Sequence, residues 1–514
     1  MYPGYWAQIK PDEIAVVSAA TGRTQSWREL DARSNQIAHY LRSIGLQTGD
    51  HIALLLENHL SYFEIAWAAF RSGLYITCIN RYLTVDEVAY IVKDSGARVI
   101  FSSPELAATE SLQQVSAQAQ AHLLVHGALP DWQSMNECIA QCPTEPLAEQ
   151  PMGDSMLYSS GTTGRPKGIK RPLTGASVAD GNSFLAAPSP YGFDDQSRYL
   201  SPAPLYHAAP FGFCMRTLSA GGTVIYMDRF DPIAALGAIE KFRITHSQWV
   251  PTMFVRFLKL PEAERSGFDL SSHGCAVHAA APCPVAIKQQ MIDWWGPILW
   301  EYYAGTERNG STIINSEQWL AHPGSVGRAA SGVIHICDET GAELAVGEDG
   351  LVYFEQAQRP FEYHNAAEKT ASAQHPLHPN WTALGDVGHL DAEGYLYLTD
   401  RKAFMIISGG VNIYPQEIED VMILHDDVQD VAVFGVPNPE FGEEVKAVVQ
   451  LASGLQQTPE LGEQLRTYVR SQLASYKVPR SVDFIDEMPR LPTGKLYKRI
   501  LRDRYLSSMT TDEH

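Results

Sequence analysis

The sequence predicts an α/β protein: a large layered N-terminal domain followed by a small α+β C-terminal domain. Three observations carry that expectation. Capped helix starts alternate with short apolar runs over the first part of the chain, the chain is 514 residues long, and its apolar periodicity resets into a compact unit after residue 400. A single hydrophobic core stops growing at about 250–300 residues, so a chain of this length divides.

Ser26, Ser61 and Thr84 each stand three residues before a glutamate (Glu29, Glu64, Glu87). This is the spacing of a capping box, in which hydroxyl and carboxylate satisfy each other's backbone N–H groups. The three helical patterns stop at Gly45, Gly73 and Gly96, and strand-like runs follow at 52–56, 75–79 and 98–101. Alternation at that spacing implies helices layered on a largely parallel sheet. Residues 105–122, rich in Ala and Gln, predict a surface helix. Residues 143–151 predict a connection into the strand before Tyr158. A strand at 395–398 closes the first domain, 1–400. The second, 401–514, reads as helix 415–424, strands 428–434 and 445–451, helix 460–473 and strand 482–485.

Hydrophobic residues make up 45% and charged residues 19% of the chain, the balance of a folded enzyme rather than a disordered segment. The formal net charge of −20 disfavours a nucleic-acid or anionic-membrane binder, because phosphate surfaces attract an excess of Lys and Arg. Any anionic substrate must therefore meet a local cluster of donors. Cysteines stand at 78, 138, 142, 214, 275, 283 and 337 with no C-x-x-C pair, which reads as reduced, mostly buried thiols. The start, Met1 to Trp6, has no basic region leading into an apolar stretch, and no apolar run approaches a membrane span. A soluble cytoplasmic protein is expected.

The run Tyr158-Ser159-Ser160-Gly161-Thr162-Thr163-Gly164-Arg165-Pro166-Lys167-Gly168 concentrates hydroxyls, glycines and a lysine. Glycines let backbone N–H groups approach an anion, the hydroxyls add donors, and Lys167 adds charge, so the run reads as a phosphate cradle. It is not the G-x-x-x-x-G-K-S/T loop. Counted from Gly161, Pro166 takes the place of the second glycine and Gly168 that of the hydroxyl.

The run resembles the Ser/Thr/Gly-rich signature of the adenylate-forming enzymes: acyl-CoA synthetases, adenylation domains of peptide synthetases and luciferases. Further segments similar to that family's motifs follow in its order. They are Pro204-Leu205-Tyr206-His207, Glu301-Tyr302-Tyr303-Ala304-Gly305-Thr306-Glu307, Gly385-Asp386-Val387-Gly388, Thr399-Asp400-Arg401-Lys402 through Gly409-Gly410-Val411-Asn412-Ile413-Tyr414-Pro415, and Pro492-Thr493-Gly494-Lys495. Each alone also fits a solvated loop; the ordered set covers essentially the whole chain and is most similar to free-standing acyl-CoA synthetases.

The resemblance implies an ATP- and magnesium-dependent enzyme that turns a carboxylic acid into an acyl adenylate, releases pyrophosphate and passes the acyl group to CoA. It assigns Ser159, Ser160, Gly161, Thr162, Thr163, Gly164 and Lys167 to the β and γ phosphates. It gives Thr306 a phosphate contact, Glu307 the magnesium, and Asp386 the ribose hydroxyls. Tyr303 and Arg401 become nucleotide contacts, and Lys495 serves the reacting carboxylate and α-phosphate from a C-terminal lid that pivots near residue 400. His207 is either an aromatic gate to the acyl pocket or a packed core histidine. The pocket itself is expected around Phe211, Phe213, Trp249, Tyr303 and Ala279, Ala280, Ala281, Pro282.

Two departures from the family pattern stand out. Ala304-Gly305 replaces the Gly-x of Tyr-Gly-x-Thr-Glu, and Ala403-Phe404 precede Met405-Ile406-Ile407 where relatives carry an aspartate. Gly409-Gly410, which border the pantetheine tunnel of CoA-forming relatives, are retained. Phe404 points toward a rival acceptor, an amine, as in amide-forming relatives such as coronafacic acid ligase. A third reading, a catalytically silent AMP-binding module, is opposed by the intact Lys495, Glu307 and Asp386. The shared motifs serve the first step, so they name neither the acid nor the acceptor, and oligomeric state stays open.

Overall fold

The computed structural model describes residues 1–109, 119–159, 166–409, 411–490, 496 and 498–511. Among these residues the strands form five sheets. One is parallel throughout, in the order Gln133–Ser134, Ala121–Leu124, Ala97–Ser102, His51–Leu55, Tyr75–Cys78, Asp154–Ser155. A second is parallel through Leu299–Ala304, Cys275–His278, His246–Trp249, Arg198–Ser201, Thr223–Tyr226 and Ile14–Ser18, with antiparallel strands at both edges. Strands such as His51–Leu55, buried at every position, are apolar on both faces because helices cover both, as parallel sheets require.

Two of the three expected capping boxes form. Ser26 and Thr84 each accept from the backbone of Glu29 and Glu87, whose carboxylates return the bond. The third does not: Leu60 is the cap of helix Ser61–Phe70, every residue of that helix is buried, and Glu64 instead accepts from Gln25 Nε2 at 2.6 Å. The chain is already helical at Leu60, so Ser61 lies inside the helix and not at the extended cap position from which a side chain reaches back to the first turn. The surface helix expected over 105–122 is tested only at its two ends. Its described part is the single turn Pro104–Ala107 followed by strand Ala121–Leu124, and its middle lies outside the described residues.

Leu396–Arg401 is the last strand of a four-stranded antiparallel sheet with Trp381–Leu390, Gly350–Glu355 and Val333–Cys337. After the tight turn Lys402–Phe404, the chain enters a separate sheet built on Val428–Asn438 and Gly442–Leu451. Helices Pro415–Met422 and Pro459–Gln472 cover it, and Ile406, Ile418, Val431, Val449, Leu465 and Val469 form its own core. The two parts meet where Asp400 Oδ2 accepts from the backbone N–H of Gln416 at 3.1 Å and Lys259 donates to the carbonyl of Val428. No described helix is long and apolar enough to cross a membrane. All seven cysteines are free, four of them buried.

One buried ion pair braces the strand that delivers the site. Lys288, on helix Val285–Trp295, is fully buried and lies 2.5 Å from Glu301 at the start of Leu299–Ala304, with its ammonium over the Trp319 ring. Burial raises the Glu301 carboxyl and Lys288 opposes that rise. Lys288→Ala leaves a carboxylate buried without its counter-charge and is expected to cost about 3–5 kcal/mol; denaturant unfolding monitored by tryptophan fluorescence measures it.

Candidate active site

The carboxyl ends of the central parallel strands open into one cleft, the place where open α/β sheets present ligand-contacting loops. Ala280, Ala281 and Pro282 follow strand Cys275–His278, and Tyr303 and Ala304 end strand Leu299–Ala304; all five line a cavity of about 520 Å³. Asp386, Arg401 and Phe404 line it from the antiparallel sheet and turn. Gln416, Glu419, Asp420, Arg490, Leu496 and Lys498 line it from the C-terminal domain.

At its centre Asp386 is buried and holds two partners. Tyr303 Oη donates to Oδ2 at 2.6 Å and Arg401 Nε to Oδ1 at 2.9 Å. Antiparallel pairing sets the Arg401 contact, because Asp386 and Arg401 are direct cross-strand partners. Gly385, at φ +88°, turns the chain into that position. The Asp386 carboxylate holds the Arg401 guanidinium above its usual range. Burial first, and then the Asp386 charge, push the Tyr303 hydroxyl well above its own. Tyr303 therefore stays a hydrogen-bond donor.

A second cluster lies beside the first. Glu307 is buried, its Oε1 accepts from Tyr363 Oη at 2.8 Å, and among the described residues no lysine or arginine stands within ion-pair distance of it. Gly305 permits this packing. A Cβ there would fall 2.1 Å from Leu384 Cδ1 and 2.9 Å from Glu307 Oε2. Lys167 places its ammonium 4.7 Å from the Tyr363 ring centre, and burial followed by Lys369 lowers its pKa while Glu307 opposes that. Ser159 and Lys167, at the two ends of the cradle, are cross-strand partners.

Thr306 faces a different, small cavity of about 20 Å³ with Phe211, Gly212 and Arg308. His207 precedes helix Ala208–Ala220, whose first residue lines that cavity, and its ring lies 4.3 Å from Tyr206. Ser160, Gly161, Thr162, Thr163, Gly164, Gly410 and Lys495 lie outside the described residues. Two expected pocket walls are corrected. Trp249 is packed among Phe230, Phe257 and Trp295, its indole N–H donating to Ser247, and Phe213 stacks into the aromatic core of Tyr199, Phe193 and Tyr191. Both face into the layers because their own strand or helix is covered on that side.

No local signal marks Tyr363, which lies between motifs, or the Glu419–Lys498 ion pair at 2.8 Å that ties the final helix Lys498–Thr511 to Pro415–Met422. Phe404 enters the cleft under the Lys498 ammonium, 5.2 Å from its ring centre.

The matches to known families make this two-part α/β chain, whose cleft is lined from both parts, a ligase of the adenylate-forming kind. The chain belongs to the AMP-binding enzyme family, whose main domain it matches over residues 5–359 and whose C-terminal domain over 417–495, and it is an AMP-forming ligase. It is 33% identical to a feruloyl-CoA synthase of Amycolatopsis sp over 509 residues, 98% of each chain. The ATP-bound structure of MatB from Rhodopseudomonas palustris is similar at TM-score 0.80 and 28% identity, over 98% of this chain and 99% of that one. The amide bond synthetase McbA from Marinactinospora thermotolerans is similar at TM-score 0.80 and 27% identity, with the same coverage.

Asp420 in the cleft yields a pH prediction. Burial, with Glu419 and Asp400 adding and a hydrogen bond from Gln416 opposing, pushes its carboxyl up to about 7. The folded state then holds this proton to higher pH than the unfolded chain, so its contribution to stability declines as pH rises from about 4 to about 7. Asp420→Asn is expected to raise the melting temperature above about pH 7 and to leave it unchanged below about pH 4; paired thermal melts across that range check both ends.

Proposed function

We propose that this protein activates a carboxylic acid with ATP, forming an acyl adenylate with release of pyrophosphate, and then transfers the acyl group to CoA. The observation that carries the reading is the buried Asp386 with Tyr303 and Arg401, set in a cleft whose opposite wall is the C-terminal domain. A carboxylate with its free lone pairs directed into such a cleft accepts hydrogen bonds from a ribose diol.

The chemistry asks a carboxylate oxygen to attack the α-phosphorus while the bond to pyrophosphate breaks. Both partners are anions, so preorganised positive charge and donors supply the main catalytic effect. Lys167, with the hydroxyls and backbone of 159–164, holds the β and γ phosphates, and Thr306 adds a hydroxyl. Glu307 fits magnesium, since one oxygen is fixed by Tyr363 and no described cation competes for the other; the bound ion would supply charge neutralisation. Arg401 steadies the nucleotide, and Lys495 neutralises the charge that develops between carboxylate and α-phosphate. In the second step the thiol attacks the acyl carbon and AMP leaves. His207 stands as the gate beside the acyl cavity. Residues 1–400 form the core and 401–514 the lid, which the turn at Lys402–Phe404 lets rotate between steps. The setting is cytoplasmic, the partners are small molecules, and no nucleic acid is involved.

A second reading keeps the adenylate and replaces CoA by an amine. It is supported by Phe404, which occupies the cleft wall where CoA-forming relatives carry an aspartate, and by the similarity to an amide bond synthetase. Mass spectrometry of products from an acid panel, with CoA and amines in competition, decides between thioester and amide; absence of pyrophosphate release with every acid sinks both.

Lys495→Ala is expected to slow pyrophosphate release by about 10²–10³-fold with little change in ATP binding, because the contact is made mainly in the transition state. A parental release rate would remove Lys495 from the reaction. Glu307→Gln should raise the magnesium concentration needed for half-maximal adenylation, since an amide oxygen lacks the charge a hard cation prefers; a magnesium titration superimposable on the parent's would exclude Glu307 as ligand.

A further inference from the structure

Arg490 and Leu496, which flank the segment 491–495, pair with each other as an antiparallel bridge. They form the stem of the motif that ends in Lys495. One rung of the C-terminal sheet grips this stem. Asp430, on strand Val428–Asn438, and Gln450, on strand Gly442–Leu451, are cross-strand partners. Asp430 takes Arg490 with both oxygens: Nη2 donates to Oδ1 at 2.7 Å and Nε donates to Oδ2. Oδ1 also accepts the backbone N–H of Val431 at 2.7 Å, so the carboxylate is itself held in place. Gln450 Oε1 accepts the backbone N–H of Met488 at 2.9 Å, and the Met488 carbonyl accepts from the Arg490 N–H at 2.7 Å. Paired N–H donors on a carboxylate fix direction as well as distance. Asp430, Gln450, Met488 and Arg490 all line the cleft.

The rung is in turn tied to the large domain. Lys259, which ends helix Pro251–Leu258, donates from its ammonium to the carbonyl of Val428, the first residue of the gripping strand. Asp430 and Asp426 add negative charge on the same side. Between Val428 and Asp430 the ladder register shifts, and a bulge at such a place re-aims the side chain beside it. A cation of the large domain thus anchors the strand two positions before the carboxylate that holds the stem.

Resting on the adenylation reading above, we propose that Lys259 is a positioning residue: through Val428 and the Asp430–Arg490 fork it sets where the stem of the Lys495 motif stands against the cleft. The grip serves the first half reaction. It is released when the C-terminal domain turns for acyl transfer.

The test uses the full-length enzyme. Single-turnover pyrophosphate release, with an acid the parent accepts and no acyl acceptor, is expected to slow by about 10- to 10²-fold in Lys259→Ala, the cost of a misplacement of about 1 Å. The KM for ATP should stay near the parental value. Lys259→Arg keeps a cationic donor for the carbonyl and should restore most of the rate. The double variant Lys259→Ala/Asp430→Asn should be no slower than the slower single variant, because both changes cut one path. Transfer from a supplied acyl adenylate, to whichever of CoA or an amine the parent uses, should run at the parental rate in Lys259→Ala. A parental pyrophosphate rate, strictly additive losses or an equal loss of transfer overturns the relay. Hydrogen exchange read by mass spectrometry needs no substrate: the peptide containing Met488 and Arg490 should exchange faster in Lys259→Ala, and unchanged protection there also overturns it. Should Lys259→Ala fail to fold in a thermal melt, Lys259→Met, which keeps the length of the side chain without its charge, takes its place. Should the parent release no pyrophosphate with any acid, the adenylation reading falls, and the exchange result alone decides whether Lys259 holds the stem.

Discussion

One carboxylate organises this protein. Asp386 binds Tyr303 from the end of a parallel strand and Arg401 from the last strand before the C-terminal domain, so three segments far apart in the chain converge on two oxygen atoms. A buried carboxylate is stable only when such donors satisfy it. The network therefore couples the large sheet, the antiparallel sheet and the exit into the second domain. Asp400, one residue before Arg401, extends the chain of contacts by accepting from the first turn of helix Pro415–Met422. The point where the domains join and the point where a nucleotide would be held are consequently the same few residues.

Charge is arranged on two scales. Globally the chain is strongly acidic, which disfavours adventitious polyanion binding. Locally, cations gather at a few places: Lys167 near Tyr363, Arg401 on Asp386, and the arginines around Asp154. The fully matched pairs, Lys288–Glu301 and Lys498–Glu419, are instead buried braces. The first sets the strand that carries Tyr303 to Glu307, and the second seats the helix that follows the last motif.

Local capping signals in the sequence held where the hydroxyl residue takes the extended conformation before its helix. Ser26 and Thr84 cap as their spacing implies, whereas Ser61, with the same spacing, does not, because the chain is already helical at Leu60 and Glu64 turns to Gln25 instead. Aromatic residues misled in the same way. Phe213 follows closely on the Pro204–His207 segment, yet packing directs both it and Trp249 into the core, while Phe184, outside every motif, forms the wall of the small cavity.

The sequence by itself determined the α/β class, the division of the chain near residue 400 as an expectation, and the family, through ordered motifs whose composition states their chemistry. These are properties of contiguous residues: capping, turn conformation and hydrophobic period act within a few positions. Only the tertiary structure decided which residues meet. The opposition of Asp386 and Arg401 depends on strand register, the fixing of Glu307 by Tyr363 depends on the packing of two sheets, and the Lys498–Glu419 pair depends on where the final helix packs. Such partnerships join positions separated by tens to hundreds of residues, and no local rule of propensity or spacing reaches across that distance.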